Sequence, residues 1–298
     1  KFLDHIMAGK LPKPGRISLT PMLTYRGKLY GDLTVSCLDE NEFMVFGSGA
    51  AQEMHRRWFE SHLEKFNLQY KNRSDEFHGL AIAGPKSRDL LQKIVRENVS
   101  NDSFKFRDSR KMFVAGVPAI VNRISFTGEL GYEIYVAPHF QLKLYEELTK
   151  AGKEFNIKPF GGRALMSMRL EKNWGAWTLD YRPDFTAKET GLDIFINWNK
   201  DFIGKDSAQK DKSKNKLVPL IVETNDIDVT YNEAVLKGEK SIGYITSGGF
   251  AHFVNKSVAF SYVDQNKLKS EKGIQVEING DFFNCSIIKE PLYDPAGQ

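Results

Sequence analysis

The chain has 298 residues, 41% of them hydrophobic, and its 42 basic and 38 acidic side chains give a formal net charge of +4. This near balance argues against a nucleic-acid partner, which needs a concentrated basic surface, and acidic and polar residues interrupt the densest basic stretch, 205–216. No apolar run reaches the roughly 18 residues that a membrane-spanning helix needs, so we expect no membrane partner. The distant Cys37 and Cys285 fit a reducing compartment and give no metal-ligand spacing, so we expect no metal site.

The first 158 residues predict two successive units of strands and helices. Residues 28–35 and 42–46 alternate as strands before a helix at 51–66, and this first half extends to about residue 75. The second half, about 76–158, contains strands at 79–83, 111–114, 119–123 and 132–136 and helices at 87–95 and 140–151. The pattern predicts an α+β fold in which helices cover mixed or antiparallel sheets.

The character of the chain changes after residue 212. Strong helix formers predict a buried helix at 164–172, and a polar linker follows it. Short strands separated by Gly and Asn turns then predict a small C-terminal β-barrel; they lie at 217–223, 241–246, 257–263, 275–278 and 282–288. The sequence therefore predicts two domains, residues 1–212 and residues 213–298.

Two carboxylates lie among apolar residues on predicted strands. Asp32 alternates with Leu33 and Val35, and Glu133 begins a strand that continues through Ile134. Burying a carboxylate costs free energy unless it is paired or used, so both are candidates for a cleft. A carboxylate also accepts two adjacent N–H donors, such as those of a pterin or guanine edge. Taken alone, Asp32 also fits an exposed edge strand, and Glu133 also fits an ion pair with Arg123 or Lys143.

Three further features have ordinary structural explanations. The Gly47-Ser-Gly49 turn lacks the third glycine and the later acidic residue of a dinucleotide site. His55 and His62 lie seven residues apart on one predicted helix with no carboxylate motif, so we expect packing or surface roles. The run Thr246-Ser-Gly-Gly-Phe250 fits a hairpin turn, although Phe250 could also stack on a flat ring.

The order of the motifs along nearly the whole chain resembles the glycine-cleavage T-protein superfamily. They are Met22-Leu23, Arg26-Gly27, Gly31-Asp-Leu-Thr-Val35, Ala83-Gly-Pro-Lys-Ser87, Phe126-Thr-Gly-Glu-Leu-Gly-Tyr-Glu133, Arg169-Leu-Glu-Lys172, Asp201-Phe-Ile-Gly-Lys205 and Thr246-Ser-Gly-Gly-Phe250. Arg-Leu-Glu-Lys followed by Trp177 is more typical of the folate-binding region of dimethylglycine and sarcosine dehydrogenases.

This resemblance implies a three-lobed fold with a central cleft that binds tetrahydrofolate. The residue matching Asp32 lies near folate N5 and assists catalysis, and the residue matching Glu133 holds the pterin ring. The other folate-binding positions that the resemblance implies are Met22, Thr34, Phe126, Trp177 and Phe250. Because an isolated aspartate has a low pKa, we expect Asp32 to act by charge and position rather than as a strong base.

In the dehydrogenases that this chain resembles, a separate flavin domain oxidises an N-methyl amine. The imine or formaldehyde-level fragment then reaches tetrahydrofolate and leaves as 5,10-methylenetetrahydrofolate. The resemblance implies the same transfer here, with FAD involved only if a flavin domain precedes Lys1. We expect the chain to be a C-terminal piece of such a protein, whose partners are folate, a small methylamine-derived substrate and the flavin domain, in the bacterial cytoplasm or the mitochondrial matrix.

Departures from the T-protein pattern bear on the alternatives. Phe126 occupies a position at which the T-protein often has tyrosine, and Leu165 and Met166 replace an arginine and an aspartate. Aminomethyl-lipoyl chemistry is therefore put in doubt, which favours the dehydrogenase subgroup over a free-standing aminomethyltransferase. A non-catalytic folate-binding protein is a further alternative, although neither cysteine lies in the Lys-Gly-Cys-Tyr motif of such proteins.

Overall fold

The computed structural model describes residues 1–224, 226–268, 270 and 272–294. Its first lobe is a three-stranded antiparallel sheet in the order β1-β2-β3 with two helices. The elements are α1 (Phe2–Ile6), β1 (Ile17–Leu23), β2 (Leu29–Asp39), β3 (Glu42–Phe46) and α2 (Gln52–Glu60). Leu33 and Val35 of β2 pack in a core with Phe59 of α2, so Asp32 and Thr34 point to the opposite face of the central strand.

Two details of the first lobe differ from the sequence prediction. Strand β1 was not predicted, because Pro21 interrupts its pattern; the structure places it on an edge strand, where proline is tolerated. Helix α2 ends at Glu60 rather than at residue 66. Beyond it, the side chains of Ser61 and His62 both contact the Trp58 carbonyl oxygen, at 2.9 and 2.7 Å, and these bonds replace the next helical turn.

The second lobe is a four-stranded antiparallel sheet in the order β4-β7-β6-β5, with two helices packed on one face. Its elements are β4 (His78–Ala83), α3 (Ser87–Ile94), β5 (Ser109–Val114), β6 (Val117–Asn122), β7 (Gly131–Val136) and α4 (Gln141–Gly152). The predicted positions agree closely with these ranges, because the strands are rich in apolar residues and each helix has an apolar stripe. Tyr132 and Ile134 face the core, so Glu133 and Tyr135 face the first lobe.

The two sheets are joined through buried polar groups. Asn122 Oδ1 accepts hydrogen bonds from Ser109 Oγ at 2.7 Å and from Ser36 Oγ of β2 at 3.3 Å. The main chain contributes a bond from Ile17 N–H to the Arg107 carbonyl at 2.8 Å. This junction fixes how the faces of β2 and β7 that point away from the two apolar cores meet.

A helical segment connects the lobes to the barrel. It contains α5 (Gly162–Glu171), α6 (Ala187–Thr190) and α7 (Lys205–Gln209). The expectation that the 164–172 helix is buried was wrong for its first half: Ala164 is exposed, and burial begins at Arg169. The stretch 205–216, expected as a linker, begins with α7, whose Ser207 donates to the Tyr25 carbonyl at 2.9 Å.

The C-terminal strands form a closed barrel in the order β10-β11-β8-β13-β12-β9. The elements are β8 (Asn215–Val222), β9 (Ala234–Lys237), β10 (Lys240–Ala251), β11 (Lys256–Asp264), α8 (Gln265–Leu268), β12 (Ile274–Ile278) and β13 (Asp281–Ile287). The short β9 was not predicted. The proposed hairpin turn at 246–250 was wrong, because these residues continue β10 past a bulge near Thr246. Within the described residues, no helix is long and apolar enough to cross a bilayer.

A buried ion pair connects α5, the segment after it and the barrel. Arg169 and Asp180 are 1% and 0% exposed, and Arg169 Nη1 lies 2.6 Å from Asp180 Oδ2. Asp180 Oδ2 also accepts from Ala176 N–H at 2.9 Å, and Oδ1 accepts from the hydroxyls of Thr246 and Ser247. Asp180 is therefore fully hydrogen-bonded, which a buried charge requires.

We predict that Asp180→Asn lowers the free energy of unfolding by about 3–5 kcal/mol, because it leaves the Arg169 charge buried without its counterion. Urea unfolding followed by circular dichroism measures the change. The double variant Arg169→Met/Asp180→Leu should lose less free energy of unfolding than the single variants Arg169→Met and Asp180→Leu lose together. Arg73→Met serves as control: it breaks the exposed Arg73–Glu76 pair and should cost less than about 1 kcal/mol. Equal losses of stability in Asp180→Asn and Arg73→Met would contradict a structural role for the buried pair.

Candidate functional site

A cleft of about 360 Å³ lies where the two lobes meet the segment after α5. Asp32 and Thr34 of β2 and Phe46 at the end of β3 form one wall. Glu133 and Tyr135 of β7 face them. The remaining lining comes from the Gly47–Ser48 turn, Phe126 in the loop before β7, and residues 175–177. The cleft therefore depends on three parts of the chain that are distant in sequence.

Asp32 is half-buried on the central strand of its sheet, so the edge-strand alternative is wrong. Burial raises the pKa of Asp32 to about 7, and a hydrogen bond to its own backbone N–H offsets part of that effect. In the part of the chain that the structure describes, no cation contributes to this shift. The low pKa expected from the sequence is therefore corrected: near neutral pH, this carboxyl can both hold and release a proton.

The segment that closes the cleft beside Asp32 is the 173–181 loop. Gly175 N–H donates to the Tyr181 hydroxyl oxygen at 3.1 Å. A Cβ at Gly175 would lie 2.4 Å from the Tyr181 ring, so this position requires glycine. Burial raises the pKa of Tyr181, and the negative charge of Asp32 raises it further. Tyr181 therefore remains a neutral phenol next to the Asp32 carboxylate.

Glu133 is a second carboxylate that has no cation partner among the described residues. Burial raises the pKa of Glu133, and the Tyr135 hydroxyl, which donates to Glu133 Oε2 at 2.7 Å, lowers it. The ion pair considered with Arg123 or Lys143 is absent among the described residues: Arg123 instead donates to the Phe104 carbonyl at 2.5 Å. Glu133 thus presents a desolvated acceptor to the cleft.

Aromatic side chains flank the two carboxylates. Phe126 and Trp177 line the cleft, and the Trp177 ring centroid lies 5.8 Å from that of His55 on α2. His55 is buried, its Nε2 lies 2.8 Å from the Tyr30 carbonyl oxygen, and burial lowers its pKa. The packing role expected for His55 agrees with this position, since its ring packs against that of Trp177.

The structure brings together five of the seven residues predicted for the site: Asp32, Thr34, Phe126, Glu133 and Trp177. Met22 does not line the cleft. It is 0% exposed and packs in the core of the first lobe, because it lies on the core side of β1.

Phe250 is likewise outside the cleft lining. It lies on β10, and its ring makes an edge contact with His252, with centroids 5.1 Å apart. Its backbone carbonyl accepts a hydrogen bond from Ser167 of α5. A contact between Phe250 and a ligand stays a prediction.

Sequence reasoning missed Phe46 and Tyr135. Tyr135 lies two residues after Glu133 on the same strand, so the alternation that selected Glu133 also pointed to it. The Gly47–Ser48 turn was interpreted as purely structural, yet it lines the cleft. A Cβ at Gly47 would come within 2.8 Å of Leu33 and 3.0 Å of His55. The turn can therefore lie this close to β2 and α2, and line the cleft, only with glycine at this position.

Comparison with known proteins identifies this architecture. Residues 1–200 match the family described as the GCVT N-terminal domain, and residues 215–294 match the glycine cleavage T-protein C-terminal barrel domain. The crystal structure of the glycine cleavage system aminomethyltransferase T from Bartonella henselae superposes with a TM-score of 0.86. That match has 22% identity and covers 99% of this chain and 81% of the other.

Two groups of curated relatives match almost the whole chain. Mitochondrial dimethylglycine dehydrogenase of Homo sapiens is 37% identical over 300 residues, which cover 98% of this chain and 34% of the relative. The aminomethyltransferase of Caldanaerobacter subterraneus subsp. tengcongensis is 30% identical over 299 residues, which cover 98% of this chain and 79% of the relative. The chain thus spans about a third of the length of the dehydrogenase and most of the length of the aminomethyltransferase.

The relatives in both groups are enzymes by name, and the matches extend over both lobes and the barrel. The chain belongs to the glycine cleavage T-protein family.

Proposed function

We propose that the chain binds tetrahydrofolate in the cleft and transfers a one-carbon unit to it, forming 5,10-methylenetetrahydrofolate. The donor is the imine or formaldehyde released by a flavin-linked dehydrogenase of the dimethylglycine or sarcosine type. The observation that carries the proposal is the pair of desolvated carboxylates, Asp32 and Glu133, which face one cleft from two different sheets. FAD belongs to this proposal only if the natural protein has a flavin domain outside these 298 residues.

The residues of the cleft fit a reduced pterin. The volume of about 360 Å³ lies within the usual range of small-molecule sites. Glu133 supplies two oxygens for adjacent N–H donors, and such charge-assisted bonds strengthen where water is excluded. Phe126 and Trp177 supply flat apolar surfaces for a ring. Thr34 adds a hydroxyl on the Asp32 face of β2.

Tetrahydrofolate supplies a nucleophilic amine, and Asp32 is the group of this chain placed to assist it. As a carboxylate, Asp32 stabilises positive charge at an attacking amine or an iminium carbon. Because its pKa is about 7, it can also take up the proton that the amine releases and return it to a leaving group. Residues 175–177 form the side of the cleft next to these groups.

Two observations favour the dehydrogenase-linked form over a free-standing aminomethyltransferase. Identity to the dehydrogenases is 37–38%, whereas identity to the aminomethyltransferases is 28–30%. Leu165 and Met166 also replace the arginine and the aspartate that the T-protein pattern implies. We place the protein in the mitochondrial matrix or the bacterial cytoplasm, where such enzymes meet reduced folate.

The free-standing form remains the second candidate, and its test is a direct comparison of donors. Turnover with an aminomethylated lipoyl protein, and none with formaldehyde or an iminium, would select it. Tetrahydrofolate binding without turnover of any donor would instead support the non-catalytic alternative.

We predict that Glu133→Gln weakens tetrahydrofolate binding about 10- to 100-fold, because a charge-assisted hydrogen bond becomes a neutral one. Isothermal titration calorimetry under reducing conditions measures the dissociation constant. Glu146→Gln on the exposed side of α4 is the matched control and should bind as the unaltered chain does. Equal affinity of all three proteins would remove Glu133 from the site.

We predict that Asp32→Asn slows one-carbon transfer about 10²- to 10⁴-fold and changes tetrahydrofolate affinity by less than about tenfold, the equivalent of one lost neutral hydrogen bond. The assay quantifies 5,10-methylenetetrahydrofolate from tetrahydrofolate and formaldehyde above the uncatalysed rate. Asp39→Asn, at the exposed end of the same strand, should leave the rate unchanged. A rate for Asp32→Asn within twofold of the unaltered chain would exclude a catalytic role.

The raised pKa of Asp32 also predicts a pH dependence of stability without any ligand. A carboxyl whose pKa is higher in the folded state favours folding while protonated, and this advantage is lost as pH rises from about 4 to about 7. Asp32→Asn should therefore match the unaltered chain in stability at pH 4 and exceed it at pH 8, by at most about 4 kcal/mol. Thermal unfolding across this range measures the difference. A constant difference at every pH would show that Asp32 has an ordinary pKa.

A further inference from the structure

Tyr135 contacts Glu133 within the cleft. Both side chains leave the same face of β7, two residues apart, and the Tyr135 hydroxyl donates to Glu133 Oε2 at 2.7 Å. The bond leaves Oε1 and a further lone pair of Oε2 available to a ligand. Tyr135 therefore uses one acceptor position of the Glu133 carboxylate, and the others stay available to the proposed pterin.

The Tyr135 ring is confined by neighbours on both sheets. It lies over Gly79, its partner in the β4–β7 register, where a Cβ would come within 3.0 Å of a ring carbon. On the other side, its centroid lies 4.4 Å from that of Phe46, at an interplanar angle of 31°. Gly79 provides the space and Phe46 the contact, so the hydroxyl is held at the carboxylate instead of rotating into solvent.

The hydroxyl also affects the charge of Glu133. Burial favours the neutral acid, and the hydrogen bond from Tyr135 favours the carboxylate. Burial together with the adjacent Glu133 raises the pKa of Tyr135, so the phenol stays a donor at every pH at which the protein is studied. Among the described residues that line the cleft, Asp32 on the opposite wall is the other titratable group. His55 and Arg123 bond elsewhere, to Tyr30 and Phe104.

We propose that Tyr135 is a positioning residue whose hydroxyl orients Glu133 and keeps it ionised, and so extends folate binding to lower pH. This inference rests on the proposed function, because it specifies how the pterin-binding carboxylate is held ready. A neutral Glu133 would present an O–H toward the N–H edge of a pterin, so the ionised form is the one that binds.

The first test compares the pH dependence of tetrahydrofolate affinity in the unaltered chain and in Tyr135→Phe, by calorimetry between pH 5.5 and pH 8.5. At pH 8.5 the two dissociation constants should agree within a few fold. The acid midpoint at which affinity is lost should move up by about one pH unit in Tyr135→Phe, the scale of one hydrogen bond to a charged group. Both profiles are repeated in an Asp32→Asn background, which removes the second titrating carboxyl.

Superimposable profiles would overturn the inference. So would weakening by the same factor at every pH, since that would indicate a purely structural role, and so would tighter binding by Tyr135→Phe, since that would indicate competition with the ligand. Tyr145→Phe, an exposed tyrosine of α4, is the matched control and should reproduce the unaltered profile. In a Glu133→Ala background, Tyr135→Phe should have no further pH-dependent effect.

The second test needs no ligand. Carboxyl-labelled glutamate allows the Glu133 signal to be followed by ¹³C NMR, with Glu133→Gln providing the assignment. The titration midpoint of Glu133 should rise by about one pH unit in Tyr135→Phe and stay unchanged in Tyr145→Phe. An unshifted Glu133 overturns the inference even if folate binds, whereas a shifted Glu133 in a chain that does not bind tetrahydrofolate would refute the proposed function alone.

Discussion

The buried ion pair between Arg169 and Asp180 holds the helical segment, the cleft and the barrel in register with one another. Arg169 belongs to α5, Asp180 to the 173–181 loop, and the remaining acceptor capacity of Asp180 is taken by Thr246 and Ser247 of the barrel. One carboxylate therefore fixes three parts of the fold against each other. Because Ala176 N–H also donates to Asp180, the same group sets the position of the loop that closes the cleft. The cost of burying both charges is offset only while every partner is present.

The two carboxylates of the cleft contrast with that pair. Asp180 is fully buried and has four hydrogen bonds, whereas among the described groups Asp32 has no counterion and Glu133 has only the Tyr135 hydroxyl. Their raised pKa values reflect a cost in folding free energy that a well-paired surface position would avoid. The backbone of the adjoining loop also contains Thr178 at φ 72°, an unfavourable conformation for a β-branched residue. Carboxylates without a counterion and a strained backbone therefore both lie beside the cleft, where the proposed binding of a ligand would account for their cost.

Sequence patterns were sufficient where one physical rule dominates. Alternation placed Asp32 and Glu133 among apolar neighbours on their strands, and the order of motifs then selected Asp32, Thr34, Phe126, Glu133 and Trp177 for the site. Alternation does not show whether a polar face meets solvent or another lobe. The raised pKa of Asp32 could therefore not be predicted from the sequence. Local composition also misled at 246–250: small residues are typical of a turn, yet here they allow a strand to approach Asp180 and Val229 closely. Met22 followed from the resemblance alone, and its side chain lies in the core.

The cleft forms only when the two sheets dock at their junction, which is centred on Ser36, Asn122 and Ser109. Each lobe has its own apolar core, yet each contributes only one of the two carboxylates. A chain in which only one lobe had folded would therefore present one of the two carboxylates and only part of the cleft lining. A ligand that contacts both sheets would stabilise the docked arrangement of the lobes. At concentrations above its dissociation constant, this stabilisation would grow with the logarithm of the ligand concentration.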